Sequence, residues 1–304
     1  MGAGPLTSPP ASERIDASAT SLMVLLCAAW GVGQVAMKVG GEGISPLAHA
    51  GLRSIGSLVL LCLWCRGRGV RIVPPPGARA AAALCGTLFA GEFVLIYTGL
   101  TYTTAARGVV FLYTAPCLVT LLAHLLLPND RLTRGKAMGL GLCFMALMLA
   151  FGDSLRLPSG QEAIGDLLCF AGAMAWGATT ITIKASRLRL APAEATLASQ
   201  LAISALLLPL GLALGEPGIF DPSPLIFGVL GFEIVLVAFG SYLAWFWLIT
   251  RYRVSGLSAL SFLTPVFGVL AGAVLLGEAV TLPLVTALAL ICIGIWLVNR
   301  PASA

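Results

Sequence analysis

Along most of the chain, apolar residues run for about 18 to 25 positions before a short polar break, and each run is long enough to cross a hydrocarbon core of about 30 Å as a helix. The runs predict helices over 20–39, 46–66, 78–99, 103–127, 135–152, 162–184, 193–215, 223–250, 254–276 and 281–299. Stretches such as "LVLLCLWC" (58–65) and "LLPLGLALG" (207–215) are apolar on every side. A transmembrane barrel would instead alternate polarity over segments of about 10 residues. The expected fold class is an all-α membrane protein of ten transmembrane helices, with no stretch left over for a soluble domain.

Composition agrees with that pattern. Of 304 residues, 58% are hydrophobic and 10% charged, with a mean hydropathy of +0.97, outside the range of soluble domains. Residues 1–19, rich in Pro, Ser, Ala and Gly, read as a disordered cytoplasmic tail. Leu6 stands where a myristoylation signal wants Ser or Thr, and no basic stretch with a small-residue cleavage site precedes the first helix, which is expected to be retained. With the N-terminus cytoplasmic, the inside segments hold Arg14, Arg66, Arg68, Arg71, Arg79, Arg131, Arg134, Lys136, Lys184, Arg187, Arg189, Arg251, Arg253 and Arg300. The outside segments hold only Lys38, Arg107 and Arg156. Fourteen against three places both termini inside. The net charge of +5 is then topology and implies no nucleic-acid partner. Arg outnumbers Lys fifteen to three, which with the Ala and Gly load suggests a GC-rich bacterial genome, and the expected location is the bacterial inner membrane. All eight cysteines fall within predicted helices, and Cys62-x2-Cys65 has no second pair beside it, so neither disulfides nor a metal are expected.

The chain also repeats itself. A shift of 146 residues lays Ala29-Trp30-Gly31 on Ala175-Trp176-Gly177 and Lys38 on Lys184; a shift of 149 lays Pro116 on Pro265; a shift of 148 lays Asp130-x2-Thr133 on Glu278-x2-Thr281. In order and at a drifting offset, these matches divide the chain into a first repeat, 20–152, and a second, 153–304, of five helices each. Because five is odd, the second copy crosses the bilayer in the opposite sense, which predicts an inverted-topology repeat about an axis in the membrane plane.

On these residues, Trp30-Gly31 to Lys38, Trp176-Gly177 to Lys184, Pro116 with Pro265, and the acidic-x-x-Thr turns at Asp130 and Glu278, the chain resembles the drug/metabolite transporter superfamily. It is most similar to its ten-helix bacterial metabolite exporters, and among them to the aromatic amino acid exporters. The resemblance covers essentially the whole chain. It implies a central cavity lined mainly by helices 1, 3, 4, 6, 8 and 9 that opens alternately to the two sides.

Several residues carry candidate chemistry. Trp30 and Trp176 stand near the middle of their helices although tryptophan favours membrane interfaces; they are either bulky knobs packed among glycines or aromatic walls for a flat, apolar substrate moiety. Gln34 lies one turn beyond Trp30, and Thr179 and Thr180 one turn beyond Trp176, each able to bond a zwitterion or a neighbouring helix. Glu92 and Glu233 are carboxylates in apolar sequence, costly unless paired, hydrated or protonated. They read as proton carriers, receivers of a substrate amine, or partners of Arg53 or Arg107. Of the phenols Tyr97, Tyr102, Tyr113 and Tyr242, Tyr113 and Tyr242 join the substrate-binding candidates; Pro116 and Pro265 are expected hinges. Gly135-x3-Gly139, Gly211-x3-Gly215 and Gly268-x3-Gly272 are small-residue faces that suit close helix contact.

No GxxxxGK[ST] loop, HExxH or GxSxG motif occurs. No ATPase subunit, cofactor or metal is therefore expected, and the chain does not read as an enzyme. The expected function is secondary export of small amphipathic metabolites, aromatic or apolar amino acids first. A polyamine, thiol amino acid or drug, or a membrane enzyme or receptor-like module, stand as alternatives. The expected partners are a small-molecule substrate and the lipid bilayer, in a monomer or homodimer.

Overall fold

A computed structural model of the chain describes residues 15–128, 130–152, 157–276 and 282–300. Residues 1–14 of the tail, Arg14, Asp153, Arg156 and the 278–281 turn lie outside the described residues. In chain order the elements are α1 (Ala17–Gly40), α2 (Pro46–Arg68), α3 (Arg79–Tyr102), α4 (Ala105–Leu112), α5 (Ala115–Leu126), α6 (Arg134–Ala150), α7 (Gly160–Ala185), α8 (Ala193–Ser204), α9 (Leu207–Ala213), α10 (Pro224–Phe232), a π-helical stretch Glu233–Ser241, α11 (Tyr242–Arg251), α12 (Val254–Leu260), α13 (Leu263–Leu276) and α14 (Leu282–Asn299). Among the described residues every extended element is helical; a single antiparallel bridge pairs Ile44 with Ile219. Among the described residues, eight helical stretches are long and apolar enough to cross a membrane, and Val285–Asn299 is a shorter apolar helix. Large apolar side chains such as Leu63, Met145, Leu167 and Trp296 stay exposed on the outside, as lipid-facing surfaces do.

Short side chains start the helices by accepting their orphan N–H groups. Asp16 accepts from the Ala19 N–H at 2.7 Å, so α1 begins at Ala17, inside the stretch assigned to the tail. Thr104 caps α4 and Thr133 caps α6, and Ser159 forms a reciprocal capping box with Glu162 at the start of α7. The start of α2 lacks a cap of its own, and Glu216 supplies it from the far half of the chain by accepting the N–H groups of Leu47 and Ala48 at 3.1 Å.

Two helical spans break just before a proline. Tyr113 and Thr114 separate α4 from α5, whose first turn holds Pro116, and Ser261 and Phe262 separate α12 from α13, whose first turn holds Pro265. A proline in a first turn loses no helical hydrogen bond, which is why the helix restarts there. The breaks touch: the rings of Tyr113 and Phe262 lie 6.4 Å apart.

Helices pair as α1 with α13, α5 with α7, α3 with α7 and α8, α2 with α8 and α9, and α6 with α14. Glycines set the closest crossings. A Cβ on Gly139 would meet the Gly294 carbonyl at 2.5 Å, one on Gly294 would meet the Gly139 carbonyl at 2.6 Å, and one on Gly31 would meet the Gly268 N–H at 2.6 Å. Of the predicted small-residue faces, Gly139, Gly211 and Gly268 pack against other helices. Gly215 instead ends its segment with a φ of +90° that only glycine adopts readily.

Loops of the two halves meet at both ends of the bundle. At one end Ser45 meets Gly218. At the other Tyr252 donates to Asp16 at 2.9 Å, Lys184 donates to the carbonyls of Ile249 and Tyr252 at 2.7 and 2.8 Å, and Ser255 donates through its N–H to Asp130 at 3.0 Å.

Gly139→Ala and Gly294→Ala should each lower the thermal midpoint, at a cost of about 1–3 kcal/mol for overpacking. Gly141→Ala, on the same helix with open space around it, should leave the midpoint unchanged or raise it. The hydrogen bonds from Ala19 and Tyr252 hold the Asp16 carboxyl below its ordinary range, so its contribution is present above that range and lost as pH falls through the folded value. Exchange protection of the Ala19 and Thr20 amides, corrected for intrinsic rates, should fall below about pH 4, and Asp16→Asn should abolish the dependence.

Candidate functional site

Polar and aromatic side chains converge inside the bundle from α1, α2, α3, the π-helical stretch and α11. On α2, His49, Arg53 and Ser57 recur every four residues and form a polar stripe on an otherwise apolar helix. All three are buried, and the Arg53 side chain is 2% exposed. On α3, Phe89, Phe93 and Tyr97 recur at the same interval, so α3 presents an aromatic stripe.

These stripes meet. The Arg53 guanidinium lies 4.3 Å from the centre of the Phe93 ring. Phe93 stacks between Phe89 at 5.0 Å and Tyr97 at 6.3 Å; Phe89 meets Tyr242 edge-on at 5.5 Å; Tyr242 faces Trp30 at 6.5 Å; and Trp30 meets Trp245 edge-on at 5.6 Å. Six aromatic rings therefore run in an arc from α11 and α1 to α3. Trp30 is fixed by its indole N–H, which donates to the Ser241 hydroxyl at 2.7 Å. Glu92, Tyr97, Tyr242 and Trp30 are only half-buried although they lie among the helices, as side chains do that line an internal hollow.

Charge is concentrated in the same place. Arg53 interacts electrostatically with Glu92, Glu233, Tyr97 and Tyr242, while its Nε and Nη2 make no hydrogen bond to another residue. Glu233 is fully buried, with its Oε2 against His49 Nε2. It opens the π-helical stretch, and Ser241, which holds Trp30, closes it. The looser i→i+5 winding also leaves the Ile234 carbonyl to accept from the Ser57 hydroxyl at 3.0 Å.

The second tryptophan sits in a different group. Trp176 meets Tyr113 edge-on at 5.9 Å, and Tyr113 packs on Phe262. Gln34 lies between the two groups, beside Gly268 and within reach of the Tyr113 hydroxyl. Thr180 is buried and donates to the Trp176 carbonyl at 3.1 Å, back-bonding its own helix. Pro116 and Pro265 stand at the two helix breaks. Arg107, weighed from sequence as a partner for Glu92 or Glu233, instead forms a buried ion pair with Asp166, which also accepts from Thr103 at 2.8 Å. The bridge ties α4 and the end of α3 to the start of α7.

Sequence reading placed Trp30, Glu92, Glu233, Tyr242 and Arg53 as candidates, and the structure gathers them into one cluster. It missed His49, Phe89, Phe93 and Ser241 as members. The four-residue stripes His49-Arg53-Ser57 and Phe89-Phe93-Tyr97 were the signal for most of them.

Comparison with known proteins decides the family. The sequence pattern of the EamA-like transporter family matches residues 17–152 and again residues 163–300. The chain belongs to the EamA-like transporter family. The double match shows two repeats, and the second begins after the start of α7. The chain is 25% identical over 276 residues to the uncharacterized transporter YoaV of Bacillus subtilis, covering 88% of this chain and 92% of that protein. It is 24% identical over 288 residues to an uncharacterized transporter of Archaeoglobus fulgidus, covering 92% and 98%. A protein chain of known crystal structure, 22% identical, matches with a TM-score of 0.80 over 92% of this chain and 97% of its own, which shows the shared fold. As an EamA-like transporter the protein is a multi-pass membrane protein that works in a lipid bilayer on a small-molecule substrate.

Asp166→Asn should leave the Arg107 guanidinium buried without its carboxylate, at a cost of about 3–5 kcal/mol, whereas the double replacement Arg107→Met with Asp166→Leu should cost less. Thermal unfolding of the purified variants followed by tryptophan fluorescence checks the order.

Proposed function

We propose that this EamA-like transporter exports small amphipathic solutes, aromatic or other apolar amino acids first, from a bacterial cell by alternating access. One observation carries the reading: a buried guanidinium with uncommitted N–H groups, set among aromatic rings and beside a carboxylate. Arg53 can accept a substrate carboxylate in forked geometry. Glu92 can receive the substrate ammonium, and the arc from Trp30 and Tyr242 to Phe89 offers rigid faces to an aromatic side chain. Tyr113, Gln34, Trp176 and Thr180 extend the site toward the second aromatic group, with Trp176 acting through Tyr113 and Thr180 by holding α7.

The architecture proposed for this cycle is ten spans in two inverted repeats, with α4–α5, α8–α9, α10–α11 and α12–α13 each forming one broken span. Packing supports it. Gly31 of span 1 lies against Gly268 of span 9 and, 146 residues later, Gly177 of span 6 lies against Val119 of span 4. Span 1 thus packs on span 9 as span 6 packs on span 4, while spans 2 and 7, 4 and 9, and 5 and 10 pair with their own counterparts. Tyr113 and Phe262, 149 residues apart, meet at the two breaks. Pro116 and Pro265 serve as hinges there. The charge asymmetry of the loops supports cytoplasmic termini in the inner membrane. Arg107 with Asp166 would close the outer side, and Asp130 with Lys136 and Ser255 the inner side.

Flux of labelled phenylalanine or tryptophan in proteoliposomes tests the proposal. Arg53→Gln should weaken substrate affinity about ten- to a hundredfold, the worth of a charged hydrogen-bonded contact, and Arg53→Lys less. Trp30→Ala should also lose flux, while Glu92→Gln should flatten the pH dependence. Unchanged flux in folded Arg53→Gln and Trp30→Ala proteins would sink the assignment.

A further inference from the structure

A second hollow lies on the lateral surface, away from the aromatic arc. It has a volume of about 560 Å³ and runs between the end of α2, the start of α8 and the length of α11. Its deep part is apolar, formed by Trp64, Phe239, Gly240, Leu243 and Ala244; its other end carries Glu194, Thr250 and Arg251. Gly240 and Arg251 are eleven residues apart, a helical rise of about 16 Å. Half of a hydrocarbon core of about 30 Å has nearly the same depth. The groove is therefore about as long as one leaflet is deep.

Arginine–tryptophan stacks edge the groove at two levels, one at its polar end and one beside its apolar part. The Arg251 guanidinium stacks 4.4 Å over Trp247, and Arg68 stacks 3.9 Å over Trp64, which itself meets Phe239 edge-on at 6.0 Å. Both tryptophans are 38% exposed, and both arginines are exposed. Glu194 sits in the first turn of α8 on the opposite lip from Arg251. Both line the groove, yet among the described residues neither closes an ion pair. The rim thus holds a positive and a negative group apart, with an apolar slot beneath them.

We infer that this groove binds a phospholipid with a zwitterionic, primary-amine headgroup of the phosphatidylethanolamine type. The phosphate sits on Arg251, and the headgroup ammonium donates to Glu194. One acyl chain lies along Trp64, Leu243 and Ala244 down to Phe239. The charge pattern separates this occupant from its relatives. A purely anionic headgroup would meet Glu194 without a counter-charge, and the trimethylammonium of phosphatidylcholine has no N–H to donate. Chain and headgroup together explain why the groove is both apolar and doubly charged at its rim. Phe239 and Gly240 also belong to the π-helical stretch whose last residue, Ser241, holds Trp30, so the lipid packs on the outer side of the element that shapes the inner hollow. This inference does not depend on the substrate proposed above.

Native mass spectrometry of the full-length protein in detergent, with equal amounts of phosphatidylethanolamine, phosphatidylglycerol and phosphatidylcholine carrying the same acyl chains, tests it. The protein should retain one phosphatidylethanolamine with roughly tenfold preference over phosphatidylcholine, the low end for a charged hydrogen bond. Glu194→Gln, a surface change, should remove that preference; Arg251→Gln should weaken retention of all three lipids; and Ala244→Trp should empty the groove. Equal retention of the three lipids by the native protein, a preference for phosphatidylglycerol, or an undiminished preference in a folded Glu194→Gln protein would overturn the inference.

Discussion

A guanidinium inside a membrane bundle has no bulk water to solvate it, and the protein around it must answer its charge. Arg53 imposes that condition on half of the interior. The Phe93 ring face, the Glu92 and Glu233 carboxylates and the Tyr97 and Tyr242 phenols are arranged about it, and they come from α3, the π-helical stretch and α11. Glu233 in turn is held by His49, one turn before Arg53 on the same helix. The result is a closed circuit of charge among three spans, with part of the guanidinium left unengaged. Such a site has its charge answered inside the bundle and still leaves donors of the guanidinium without a partner.

The two halves of the chain share a plan but not a site. The repeated Trp-Gly phrase places Trp30 and Trp176 at matching points of α1 and α7, yet their neighbours differ. Trp30 is bonded to Ser241 and joins six rings, while Trp176 packs on Tyr113. Lys184 reaches two backbone carbonyls, whereas its counterpart Lys38 is exposed near the end of α1. Glu92 and Glu233 each lack an acidic twin in the other repeat. Symmetry therefore governs how the helices cross, through small residues such as Gly31 and Gly268, and the charged site is a departure from it.

This division also explains what was legible from residues alone. Long apolar runs and the repeated phrase are properties of single segments, and they marked the apolar helices and the two repeats, together with Trp30, Arg53, Glu92 and Tyr242, which the fold brings into one cluster. Pairings between segments were less visible. Arg53 and Arg107, weighed as alternative partners for Glu92 and Glu233, divide differently: Arg107 pairs with Asp166 near the start of α7, and Glu233 lies against a histidine that no motif marked. The π-helical winding of Glu233–Ser241 has no periodic signature in a stretch that is apolar on all sides. It arises from tertiary demands, since Ser57, His49 and Trp30 each take a group from that element.

Most of these demands cross from one half to the other. The start of α2 is capped by Glu216, Arg107 by Asp166, His49 by Glu233 and Trp30 by Ser241. In each case the earlier group is made at the ribosome well before its partner exists. During synthesis the first half enters the bilayer before Asp166, Glu216, Glu233 and Ser241 exist, and Arg107, the start of α2, His49 and Trp30 gain these partners one after another as the second half follows. Part of the first half's polar chemistry is therefore completed only by the second.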